Sequence, residues 1–91
     1  MNISTINYMH DLLVKEMNDA ATKHNENIKE YEREKRCFES HLPILKIMFS
    51  DKDLFDMDND LERKHYEILQ KSLAKYMNAK NILEDFETHK W

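Results

Sequence analysis

The 91-residue chain contains no glycine, one proline and one cysteine, with 41% apolar and 35% charged residues. Primed-turn hairpins, phosphate-cradling loops and nucleophile elbows use glycine for positive φ or close backbone approach, so those folds and the enzymes built on them are excluded. The net charge of −4 is concentrated in one place, because Asp51 to Glu62 holds six acids against Lys52 alone.

What remains is an all-α chain forming a single domain over residues 1–91, with helices expected at about 4–42, 43–49 and 59–87. In the first segment Ile6, Met9, Leu13, Met17, Ala20 or Ala21, Ile28, Tyr31, Phe38 and Leu42 recur at steps of three and four, the period of a helix with one apolar stripe. Ser4 is the expected N-cap, and Asn25 and Asn27 are weak helix formers where a break could fall. The stripe is narrow, suited to one neighbouring helix, and it carries two polar residues, His24 and Lys35. Polar seam residues of this kind set register or oligomeric state in coiled coils.

Pro43 to Ser50 is dense in apolar side chains, and proline fits the first turn of a helix because its missing N–H is not needed there. A short apolar helix plugging one end of a bundle is expected. Ser50 with Asp53, and Asn59 with Glu62, both read as an N-cap followed by a third-position acid. The last helix is therefore expected from Asn59, after an acidic connection. Its apolar residues, from Leu61 through Ile68, Leu69, Leu73, Tyr76, Ala79, Ile82 and Leu83 to Phe86, cover an arc too wide for a single partner helix. A lone hairpin would leave about half of that arc in water, so the expected architecture is a helical hairpin or three-helix bundle that dimerises into a four-helix type of bundle.

Four constellations could carry chemistry. Asp56, Asp58, Asp60 and Glu67 resemble positions 1, 3, 5 and 12 of an EF-hand calcium loop, but Leu61 stands where the sharp turn needs glycine. A solvated acidic connection is the expected identity. Glu62 and His65 form an E-x-x-H step similar to the metal-ligand pairs of ferritin-like di-iron carboxylate proteins; they are the candidate metal ligands, although no inward glutamate is apparent at the centre of the first stripe. A core-margin histidine hydrogen-bonded to a neighbour is the simpler expectation for His65. Cys37 and His41 are an i,i+4 pair without further ligands and read as a free thiol on a helix flank. Tyr31, Phe38, Tyr66, Tyr76 and Phe86 fall at helical spacing and are expected in the core.

With no catalytic motif, the expected function is a small non-enzymatic module that binds and modulates another protein and needs no cofactor. The expected partner-binding residues are Phe49, Asp51, Asp53, Phe55, Asp56, Asp58, Asp60 and Trp91, aromatic anchors beside a charged patch. A metal-binding bundle is one alternative, and an acidic nucleic-acid mimic blocking a nucleic-acid-binding enzyme is another. Basic residues are scattered among acids, so direct nucleic-acid binding is not expected. No apolar run approaches a membrane span, and the unpartnered Cys37 fits a reducing compartment, so the expected setting is cytoplasmic, as a homodimer. The richness in Asn, Lys, Ile and Met is compatible with an AT-rich phage or mobile element.

Overall fold

A computed structural model describes residues 2–91. Two helices, α1 (Ile3–Met48) and α2 (Asp51–Thr88), fold against each other as an antiparallel hairpin. The all-α expectation holds, and three element boundaries differ from those read in the sequence. Asn2 rather than Ser4 caps α1, its side chain accepting from the Thr5 amide at 2.8 Å. The expected helix over 43–49 is the end of α1, with Pro43 inside it. The expected acidic connection is helical throughout, so α2 begins eight residues before Asn59.

Packing explains both extensions. Proline removes the amide that would donate to the Glu39 carbonyl, yet the apolar stripe continues past it from Phe38 and Leu42 to Leu45, and helical tertiary packing outweighs one lost bond. In α2 the stripe already starts at Leu54, which is buried, and continues through Met57 and Leu61. Asp and Asn oppose helix only weakly beside that burial. Asp51 and Asp53 also favour the first turn, where the helix dipole is positive.

Only Phe49 and Ser50 join the helices, and both have extended backbones (φ −128°, ψ 154° and φ −71°, ψ 162°). The Phe49 amide donates back to the Leu45 carbonyl at 2.8 Å, and the Ser50 side chain accepts from the Asp53 amide at 3.2 Å. No described residue has positive φ. The turn is thus closed by a serine cap and two extended residues, the geometry that a chain without glycine can supply.

The register is uniform. His10 lies against Phe86, His24 against Ser72 and Tyr31 against His65, so contacts recur at multiples of seven residues along each helix, as in a coiled coil. The result is a rod of 68 × 16 × 12 Å, and 46 residues of α1 at about 1.5 Å each account for its length. Its core is thin: Ala20, Leu54 and Leu83 are the buried apolar residues described, joined by His65 and Ser72.

Candidate partner-binding surface

Between the helices runs a layer of polar contacts. His65 is 2% exposed, and its Nε2–H donates to the Glu34 carboxylate at 2.7 Å. Lys64 reaches the same carboxylate at 3.2 Å. These contacts hold the Glu34 carboxyl below its ordinary value, the hydrogen bond from His65 being the chief cause and that from Lys64 the next. Nearly one turn along, the Tyr31 hydroxyl donates to both oxygens of Glu62 at 2.6 and 2.7 Å, and the Lys35 ammonium bonds Glu62 and Asp58. Lys35, and then Tyr31, lower the Glu62 pKa. Its hydrogen bond to Glu62, followed by that to Asp58, raises the Lys35 pKa, while the bond to Glu62 is also the main cause raising that of Tyr31.

Further along, His24 and Ser72 meet at 2.6 Å. The Ser72 hydroxyl also lies within hydrogen-bond distance of the Leu69 carbonyl, at 3.2 Å. No buried side-chain nitrogen or oxygen among the described residues lacks a partner. A slip of one helix by a heptad would part His65 from Glu34 and Lys35 from its two acids. The layer therefore acts as a register lock.

His24 and Lys35 are the polar seam residues read from the sequence, and His65 is hydrogen-bonded to a neighbour as expected, although deep in the core rather than at its margin. Glu34 was missed. The sequence shows it as one acid of an alternating charged run, Glu30 to Arg36, while its partner lies 31 residues away. The candidate metal ligands Glu62 and His65 do face α1. Their site is filled by Lys35, Lys64 and Tyr31, and no group of three or more His, Cys, Asp and Glu side chains among the described residues is placed to hold a metal ion. The calcium-loop reading fails for another reason: its acids sit on a continuous helix, which cannot wrap around an ion.

The expected partner-binding residues do not form one surface. Phe49, Asp51, Asp53, Phe55 and Asp56 gather at the hairpin tip. Asp58 is turned to Lys35 at 3.2 Å, while Asp60 is exposed beside Arg63. Trp91 is at the other end of the rod, its ring 4.8 Å from that of Phe86 and its Nε1–H donating to the Phe86 carbonyl at 3.2 Å. The end of the chain thus folds back on α2.

The tip carries more apolar surface than the sequence suggested. Ile44, Ile47 and Met48, expected to plug the end of a bundle, are exposed, Ile47 by 87%. Continuing α1 past Pro43 puts Leu42 and Leu45 on the inner stripe and turns these three away from it. Phe49 and Phe55 join them, with Phe55 65% exposed. A groove of about 340 Å³ on the flank of the tip is lined by Phe38, Leu42, Leu54 and Phe55, with Lys35 and Lys46 as well as Glu39, Asp51 and Asp58 around them. Tyr66, expected in the core, is likewise 64% exposed. Cys37 is an exposed free thiol beside His41, as read from the sequence.

Among the described residues no helix is long and apolar enough to cross a membrane. No protein-family description, curated protein or solved structure matches the chain.

Proposed function

We propose that this chain is a non-enzymatic protein-interaction module, homodimeric, whose hairpin tip binds another protein. One observation carries the reading: five large apolar side chains, Ile44, Ile47, Met48, Phe49 and Phe55, are each exposed in the turns around the hairpin tip, among Asp51, Asp53 and Asp56. Clustered exposed apolar surface with a polar rim is the anatomy of an interface, in which the aromatic and aliphatic anchors supply affinity and the acids steer association with a basic partner. The polar layer between the helices supports the same reading, because a fixed register presents the tip residues in one arrangement and lowers the entropy lost on binding.

The test replaces Ile47 and Phe55 by Asp, both exposed enough for the hairpin to keep its circular dichroism. Wild type and variant are immobilised and challenged with lysate from the source organism. A partner retained by the wild type and lost by Ile47→Asp/Phe55→Asp is the expected result. Equal retention of every captured protein contradicts the tip as the binding surface.

A further inference from the structure

The open end of the rod, opposite the tip, gathers aromatic rings from three stretches of chain. After α2 the last residues fold back, so that the Trp91 ring sits 4.8 Å from that of Phe86 and 4.3 Å from that of His89. Trp91 Nε1–H donates at 3.2 Å to the Phe86 carbonyl, which also accepts from the His89 amide. From α1, the His10 ring lies 6.2 Å from that of Phe86, and His10 Nε2 is 3.5 Å from the Glu87 carboxylate. Ile6, Asn7, His10, Phe86, Glu87 and Trp91 line a groove of about 340 Å³ at this end.

Charge here is lopsided. The last turn of α2 carries no basic residue, and it holds Asp85 and Glu87 where the helix dipole is already negative. Among the described residues, the charged side chains within about one turn of the cluster are Asp11 on α1, Glu84, Asp85 and Glu87 on α2, and Lys90 after it. Carboxylates therefore outnumber the single ammonium, and the two histidines, His10 and His89, are set among them. Histidine is the side chain that changes charge between about pH 5 and 8. A proton on His10 turns its contact with Glu87 into an ion pair. A proton on His89, the C-cap of α2, puts a cation at the negative end of the helix dipole and against the indole of Trp91. Both protonations favour the folded-back arrangement.

We propose that residues 89–91 form a proton-operated latch. In mild acid it holds Trp91 on Phe86 and ties the two helix ends together. Above the histidine range it lets the indole swing free, so that Trp91 and Phe86 become available together. Contacts that need protonated imidazole are at full strength below that range and are lost as pH rises through it. Release needs no unfolding of either helix, because the tail is held by one side-chain hydrogen bond and by ring contacts.

Trp91 is the single tryptophan, so fluorescence reports the latch in the intact chain. The readout is quenching of the indole by acrylamide, referred at each pH to N-acetyltryptophanamide, from about pH 5.5 to about pH 8, a window above the carboxylate titrations. Trp91 is already 54% exposed when seated, so the quenching constant is expected to rise by roughly half on release rather than manyfold. His10→Gln/His89→Gln is expected to abolish the step, Glu87→Gln to reduce it, and His41→Gln, far along α1, to leave it intact. A wild-type constant that stays level, or that falls as pH rises, overturns the latch. A step that persists in His10→Gln/His89→Gln overturns its assignment to these histidines, and one left whole by Glu87→Gln overturns the role given to the His10 pair. Loss of helical circular dichroism in parallel with the step also overturns the latch, which opens with both helices intact.

Discussion

The residues between the helices hold charge where a simpler hairpin would hold leucine. Their pKa shifts give this layer a pH signature. Glu34 and Glu62 are lowered from 4.5 by their partners, so their stabilisation is complete above that value and is lost as pH falls through their folded pKa. Lys35 and Tyr31 are raised from 10.5 and 10.0, so their contribution is complete below pH 10 and is lost as pH rises further. Melting temperature followed by circular dichroism is expected to fall at both extremes, and Lys35→Met is expected to flatten both limbs because it removes the partner of Glu62. Identical profiles for wild type and Lys35→Met would contradict the layer's role. Polar positions inside an apolar period, such as His24, Lys35 and His65, were legible in the sequence because they interrupt a pattern. Glu34 and the Tyr31 hydroxyl were not, since a charge within a charged run, or an aromatic ring at core spacing, interrupts nothing.

At the scale of elements, the helical period was legible and the ends were not. Pro43 and the run of Asp and Asn after Ser50 are local signals for a break or a start, and both were overruled by a stripe that remains apolar through Leu45 and from Leu54. Ser50 was readable as a cap because its chemistry is local. What the sequence could not show is that continuing α1 would carry Ile44, Ile47 and Met48 outward, since their exposure depends on the phase of a helix across a proline. Within α1 that proline should be a net loss. Pro43→Ala restores the amide facing Glu39 and is expected to stabilise the hairpin by about 1–3 kcal/mol, read as a higher urea midpoint at unchanged slope. No gain would mean that the last turns of α1 are held by the tip rather than by their own hydrogen bonds.

The whole molecule is extended for its length. Its radius of gyration is 20.4 Å, against about 12 Å for a compact domain of the same number of residues. A two-helix rod has room for one row of buried side chains, and two of the five described in it, His65 and Ser72, are polar. The wide apolar arc of α2 was legible as surplus in the sequence, and the hairpin leaves Ile68, Leu73 and Ile82 of that arc exposed. Stability in such a molecule is expected to depend on association, with a melting temperature that climbs with protein concentration. Sedimentation equilibrium over a hundredfold dilution range measures this most directly. A species at twice the chain's 11.1 kDa that dissociates on dilution, with loss of helical signal, is the expected result. A stable 11.1 kDa monomer that keeps its helix at every concentration would contradict it.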